Sequence, residues 1–227
     1  MSIGSGPAAE HKARQSLVDV CLAANASGIN QGTSGNASVR WGDGLLVTPS
    51  AVPYEDTTLD DIVYVAADGT PTGRRQPSTE WHFHHDILAT RDDVDAVLHL
   101  HSPAATALST LRRSIPAFHY MVAIAGGNSI RCGDYATFGT PELSTIAVEA
   151  LRDRTACLLS NHGQITVAAT PAKALALAAE VEFLADQYLR ALAVEPPVLL
   201  SEEEMAEVLL KFEDYKRAGA PLPDDDR

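Results

Sequence analysis

Val94-Asp95-Ala96-Val97-Leu98-His99-Leu100-His101 is the stretch that decides how this 227-residue chain is read. An apolar run of strand length ends there in His-x-His. In an extended strand, residues i and i+2 share a face. His99 and His101 therefore project together, and Leu98 and Leu100 face a core behind them. Two imidazoles at one strand end form half of a tetrahedral metal site, and a third histidine plus a carboxylate or water would complete it. The chain offers His162, isolated in Ser160-Asn161-His162-Gly163, and Glu80, in Pro77-Ser78-Thr79-Glu80-Trp81. Three nitrogens and one exchangeable position suit a catalytic ion better than a structural one.

Outward from this strand, the chain alternates short strands with helices. A helix is expected from Glu10 to Ser27, with Leu17, Val20, Cys21 and Ala24 on its buried stripe and Gly28 as its stop. Strands through Val39-Arg40-Trp41 and Leu45–Thr48 join at Gly42-Asp43-Gly44 as a hairpin. Ile62–Ala66 is another strand, closed by Asp68-Gly69. Pro77–Ala89 reads as a helix with Glu80 in its first turn, and Pro103–Thr110 as a short one. Tyr120–Ala125 is strand-like. Thr140-Pro141 and Thr170-Pro171 start two helices with a capping threonine and proline at N1. Between them lie strands Ala156–Ser160 and Gln164–Ala168. Ser201-x-x-Glu204 is a capping box for the last helix. The expectation is one α/β domain over residues 10–217, with a mostly antiparallel central sheet flanked by helices on both sides. Residues 1–9 and the acidic 218–227 are expected to be disordered tails.

Composition excludes several partners. A net charge of −13 opposes nucleic acid and an anionic membrane surface. Three scattered cysteines give no disulfide framework, the N-terminus has no apolar signal segment, and no run approaches a membrane span. A cytoplasmic setting fits. An anionic substrate would need local neutral donors. Gly32-Thr33-Ser34-Gly35-Asn36, Thr48-Pro49-Ser50-Ala51 and Ser78-Thr79 supply small polar residues of the kind that cradle phosphate, the last pair at a helix N-terminus.

The other histidines are read more plainly. His82, His84 and His85 fall on different faces of one helix and are taken as ordinary side chains, as are His11 and His119. Zinc suits the His99, His101, His162 and Glu80 donor set, with an oxygen position left for substrate. Such an ion polarises a carbonyl and supports the enolate that follows. The chain's lysines, Lys12, Lys173, Lys211 and Lys216, all fall on expected helix surfaces. None suits a Schiff base.

Longer motifs carry a resemblance. Gly28-Ile29-Asn30-Gln31-Gly32-Thr33-Ser34-Gly35-Asn36-Ala37-Ser38-Val39-Arg40, Leu46–Glu55, Pro77–Trp81, His99–Ser102 and Asn161-His162-Gly163 resemble class II aldolases of the aldolase/adducin family. The segments Ser114–Met121, Ala125–Ile130 and Tyr135–Thr140 are similar to the bacterial members that act on L-fuculose 1-phosphate. The resemblance runs from about residue 10 to residue 215. It implies one zinc ion per subunit on His99, His101 and His162. Glu80 would ligate the ion at rest and serve as acid/base once substrate displaces it. Tyr120 would handle the proton on the aldehyde oxygen. Gly35, Asn36, Ser50, Ala51, Ser78 and Thr79 would grip phosphate. Phe138, Phe212 and Tyr215 would line the aldehyde side, in a homotetramer with sites near subunit interfaces.

The implied reaction is reversible cleavage of L-fuculose 1-phosphate, or a close ketose 1-phosphate, to dihydroxyacetone phosphate and L-lactaldehyde through an enediolate held by zinc, a step of sugar metabolism. Two departures bear on the substrate. Ala51 replaces the usual glycine of the phosphate loop, and glycine permits positive φ. Thr79 replaces serine, adding bulk. A 5-deoxypentulose-1-phosphate aldolase, a pentulose-phosphate 4-epimerase or a metal-dependent decarboxylase would use the same frame. A non-catalytic adducin-like interaction module is the alternative of a different class, and the intact His99, His101, His162 and Glu80 set speaks against it.

Overall fold

The computed structural model describes the backbone of residues 6–218 and the side chains as far as 214. Its centre is an eight-stranded sheet. The strands are β1 (Asn36–Trp41), β2 (Gly44–Val47), β3 (Val63–Val65), β4 (Pro71–Thr72), β5 (Ala96–Leu100), β6 (Arg131–Gly133), β7 (Ala156–Leu159) and β8 (Gly163–Ala168). They lie in the order β4-β3-β2-β1-β5-β8-β7-β6. Every neighbouring pair is antiparallel except β6 with β7. The helices are α1 (Pro7–Ala26), α2 (Trp81–Thr90), α3 (Pro103–Ser109), α4 (Pro141–Ala150), α5 (Pro171–Leu192) and α6 (Glu202–Ala218).

Strand alternation divides the core between two faces. On one face, Leu45, Val47, Val63, Val65, Val97, Ile165 and Val167 pack with Phe83 and Ile87 of α2 and Leu143 and Ala147 of α4. On the other, Leu46, Leu98 and Leu100 pack with Leu17, Cys21 and Ala24 of α1 and Ala174 and Ala178 of α5. Leu158 joins Leu108 of α3 and Val181 and Leu184 of α5 there. The domain is therefore a sheet between helical layers, with Leu98 and Leu100 turned away from the histidine face as the alternation required.

Strands β4 and β6 were not expected, and three of the expected elements differ in form or start. Helix α1 begins at Pro7, three residues before Glu10, with the proline in its first turn. Proline's fixed φ suits that position, and Ala8 and Ala9 are strong helix formers. Helix α2 begins at Trp81, so Glu80 is its N-cap residue and not part of its first turn, and Ser78 and Thr79 precede the cap. Tyr120–Ala125 is a 3-10 helix and not a strand. A short apolar run does not reveal its own period. Here the His119 ring accepts the Met121 N–H, and Gly126 closes the turn at φ 90°. Of the expected acidic tail 218–227, Ala218 is the last residue of α6, and residues 219–227 lie outside the described residues.

Loop pairing brings the polar segments together. Ser50 N–H donates to the Gln76 carbonyl and Ser78 N–H to the Thr48 carbonyl, at 3.0 and 2.9 Å. Buried Asp61 anchors the same connection by accepting from Arg74 and Arg75. Among the described residues, no helix is long and apolar enough to cross a membrane.

Phe83 ties the core to the histidines, since its ring meets that of His99 edge-on at 5.5 Å and is 1% exposed. Phe83→Ala is expected to lower stability by about 3–5 kcal/mol, as for large cavities in cores, measurable by urea unfolding of the metal-free protein. A loss under about 1 kcal/mol would show that the site does not rest on this packing.

Candidate active site

The site forms where β5, the β7–β8 turn and the start of α2 converge. Register sets it up. Asn36 lies opposite His99 across β1 and β5, and Leu100 lies opposite Gln164 across β5 and β8. The turn between β7 and β8 then brings His162 over the end of β5. Asn161 makes the turn with φ 56°, and its N–H donates to the Ser109 carbonyl. Gly163 is required by close approach: a Cβ there would stand 2.5 Å from the Leu100 carbonyl oxygen and 3.0 Å from the His101 ring.

The three imidazoles converge. Their ring centroids are 4.7–4.9 Å apart, and their candidate ligand nitrogens lie within 4.8 Å of one another. The His99 and His101 Nε2 atoms are 3.0 Å apart. His99 Nδ1 is 2.9 Å from the Gln164 carbonyl, which accepts its N–H and leaves Nε2 with its lone pair toward the cluster. Burial, followed by the neighbouring histidine charge, pushes His99 and His162 down to about 3. Burial also lowers His101. All three are thus neutral near pH 7, with one ring nitrogen of each close enough to the others to share one ion.

Glu80 closes the cluster. Its Oε2 is 3.4 Å from His99 Nε2 and its Oε1 is 3.3 Å from His162 Nε2. Glu80 caps α2 in sequence, yet its side chain makes no capping hydrogen bond. Asn36 Nδ2 donates to Oε2 at 2.9 Å, while Oε1 is buried without a hydrogen-bond partner among the described residues. Mutually facing neutral imidazoles and an orphaned carboxylate oxygen fit a divalent cation, which would satisfy all of them at once.

A pocket of about 310 Å³ opens above this cluster. Glu80, His101 and His162 line its floor. Gly35, Asn36, Ser50, Ala51, Ser78 and Thr79 line its wall, and Phe138 with Tyr135 its rim. His99 lies beneath, fully buried. No lysine or arginine lines the pocket among the described residues. The N–H groups of Ser34, Ser50 and Ser78 are already bonded to backbone carbonyls, so Ser50 and Ser78 offer an anion their hydroxyls. Ser78 Oγ accepts the Glu80 N–H and so turns its own proton outward. Gly35 has a packing reason beside any phosphate role, since a Cβ there would meet the His99 carbonyl at 2.8 Å. Ala51 adopts φ 57°, so the loop keeps the left-handed turn a glycine would make, at a cost of about 1–2 kcal/mol.

Two residues expected at the site lie elsewhere in the chain. Tyr120 and Phe212 line a separate groove with Met121, Ile124, Val208 and Lys211. The Tyr215 side chain lies outside the described residues. Thr33, from the expected Gly32–Asn36 cradle, also lines the pocket, and so do Tyr135 and Asn161, to which no role was assigned. His84, read as an ordinary side chain, is fully buried with its Nε2 2.6 Å from Asn36 Oδ1. Its spacing of four from Glu80 was the signal, because i and i+4 share a helix face.

A family model described as class II aldolase and adducin N-terminal domain matches residues 15–189. The chain belongs to this family. It is 52% identical over 211 residues to a 5-methylthioribulose-1-phosphate/5-deoxyribulose-1-phosphate aldolase of Rhodospirillum rubrum, covering 92% of this chain and 96% of that protein. It is 50% identical over 206 residues to the L-fuculose phosphate aldolase of Escherichia coli, covering 90% and 96%. A solved L-fuculose 1-phosphate aldolase structure superposes with a TM-score of 0.87 at 36% identity, covering 93% of this chain and 98% of that one. As a class II aldolase, the protein is a metal-dependent lyase.

The histidine environment has a pH signature in the metal-free class II aldolase. The unfolded chain takes up protons on these histidines below about pH 6.5. In the folded chain, His99 and His162 resist protonation down to about 3. Stability should therefore be full above about pH 6.5 and fall as pH drops toward 3, by up to about 1.4 kcal/mol per pH unit for each histidine. Denaturant melts of chelator-treated protein between pH 7 and 5 measure this. A flat profile would mean that the rings are solvated.

Proposed function

We propose that this class II aldolase reversibly cleaves a deoxyketose 1-phosphate between C3 and C4, giving dihydroxyacetone phosphate and a short aldehyde. L-Fuculose 1-phosphate, which yields L-lactaldehyde, is the leading substrate. A 5-deoxypentulose 1-phosphate, which yields acetaldehyde, is the second, favoured by the similarity to the Rhodospirillum rubrum aldolase. Both aldehydes end in a methyl group, and the rim residues Tyr135 and Phe138 offer an aromatic surface for it. The observation that carries the reading is the orphaned Glu80 Oε1 beside three neutral imidazoles, on the floor of a pocket walled by neutral hydrogen-bond donors.

His99, His101 and His162 would hold one zinc ion, with Glu80 as a further, displaceable ligand. Such an ion would supply a Lewis acid for the ketose oxygens and for the negative charge that develops on them. Hydroxyls of Ser50, Ser78 and Thr79, with Gly35, Asn36 and Ala51, would hold the phosphate in an otherwise acidic protein. In cleavage, the C4 hydroxyl gives up its proton as the C3–C4 bond breaks, and the electron pair passes to C3 and the C2 oxygen. Glu80 would then deliver a proton to C3, and in synthesis remove it. Tyr120 would take the hydroxyl proton and return it in synthesis, and solvent would carry the equivalent proton between the two residues to reset them.

Tyr120 is half exposed in its separate groove with Phe212. It would therefore act at the site of a neighbouring copy, with Phe212 and Tyr215 on the aldehyde side, in a cytoplasmic homotetramer. Epimerase and decarboxylase readings would leave no released aldehyde, so the product formed decides among them.

Glu80→Gln keeps the three imidazoles and removes the base. It should retain metal yet exchange the C3 proton of dihydroxyacetone phosphate in deuterated water about 10²–10⁴-fold more slowly. Exchange at the wild-type rate would remove Glu80 from this role.

A further inference from the structure

Glu80 has two jobs that conflict. It must leave the metal when substrate arrives, and it must stay aimed afterwards. A carboxylate oriented by the ion alone would lose its direction on release. The structure supplies a second hold on it, from beneath.

Ser38, His84, Asn36 and Glu80 form one buried chain of hydrogen bonds. Ser38 Oγ is 2.7 Å from His84 Nδ1, His84 Nε2 is 2.6 Å from Asn36 Oδ1, and Asn36 Nδ2 is 2.9 Å from Glu80 Oε2. Exposure is 0% for Ser38 and His84, 5% for Asn36 and 6% for Glu80, so water does not compete. Asn36 and Ser38 are two apart on β1 and share a face, and Glu80 and His84 are four apart across the start of α2.

The chemistry of each group fixes its role. An ionised carboxylate only accepts, so Asn36 presents its NH₂ to Glu80. Its carbonyl oxygen then faces His84, which must carry its proton on Nε2. Burial, with the adjacent His99, holds the His84 imidazole neutral, well below its usual range. A neutral ring with Nε2–H has an acceptor at Nδ1, which takes the Ser38 hydroxyl proton. Every donation therefore runs toward Oε2, and Oε1, 3.3 Å from His162 Nε2, is left without a hydrogen-bond partner among the described residues.

We propose that His84 is a positioning residue for Glu80: acting through the Asn36 amide, it fixes Oε2 and leaves Oε1 as the oxygen that exchanges the C3 proton. This rests on the aldolase reading above. Without the His84 donor, the Asn36 amide is free to invert and turn its oxygen on the carboxylate. The sequence motifs that resemble the family did not mark His84, and it touches neither the pocket nor the imidazole cluster's converging nitrogens.

The test uses full-length, metal-loaded protein and a mutant cycle. His84→Leu should lower kcat about 10–100-fold, as loss of an orienting partner does, with metal content unchanged. KM for the ketose 1-phosphate should stay within about threefold, because the hydroxyls of Ser50, Ser78 and Thr79 and the three imidazoles are untouched. In an Asn36→Ala background, His84→Leu should cost less than about threefold more, because the relay is already cut. His84→Gln, which can still donate to Asn36, should recover most of the loss. Ser38→Ala makes the smallest change and should lower kcat in the same direction, which decides the matter if His84→Leu does not fold. Equal losses in both backgrounds, or no loss in Ser38→Ala, would overturn the proposal. A separate readout needs no activity: imidazole ¹⁵N NMR of the folded protein should show His84 as the Nε2–H tautomer. The Nδ1–H tautomer would overturn the relay even if the aldolase reading stands. An Nε2–H tautomer in a protein with no aldol activity would support the relay and leave the aldolase reading as the part that failed.

Discussion

The site depends on a single register, that of β5 against β8. With Leu100 opposite Gln164, the β7–β8 turn closes over the end of β5 and delivers His162 to His99 and His101. The same pairing puts the Gln164 carbonyl against His99 Nδ1 and so fixes which nitrogen carries the lone pair. A slip of one residue would turn His99 into the α1 layer and Leu98 toward the pocket. The two-sided core opposes that slip, since Leu98 and Leu100 are held on one face and Val97 and Ile165 on the other. Gly163 completes the constraint, because any side chain there would push the strands apart at the point where the histidines must meet.

Around this centre, charge is managed by neutral groups. A protein of net charge −13 does not attract a phosphate ester from a distance. Its pocket nonetheless gathers hydroxyls, two side-chain amides and tight turns, with no lysine or arginine among the described lining residues. Local cationic charge would come from a metal on three buried neutral imidazoles. Glu80 is anchored at one oxygen by Asn36, and its other oxygen has no hydrogen-bond partner among the described residues, as its proposed roles would require.

Much of this was legible in the sequence, for identifiable reasons. His99-Leu100-His101 follows the strand period, so shared facing could be read directly. Threonine–proline pairs mark the starts of α4 and α5, and both threonines cap as expected. The Asn161-His162-Gly163 turn carries residue types that suit its backbone. What escaped depends on three dimensions. Tyr120–Ala125 is apolar enough for a strand, and only the His119 cap and Gly126 make it a 3-10 helix. The start of α2 moved past Glu80 because Ser78 holds the preceding turn through its carbonyl and hydroxyl. His84 looked ordinary because its partners, Asn36 and Ser38, are more than forty positions away. Tyr120 and Phe212 were expected beside the histidines, yet one chain gathers them in another groove.

The central claim is that His99, His101 and His162 collect one divalent ion. X-ray diffraction from zinc-supplemented crystals, with data on both sides of the zinc absorption edge, tests it most directly. The account predicts one anomalous peak per chain, about 2.0–2.1 Å from a nitrogen of each of the three imidazoles. Rings turned apart, or zinc bound elsewhere with no peak among them, would contradict it.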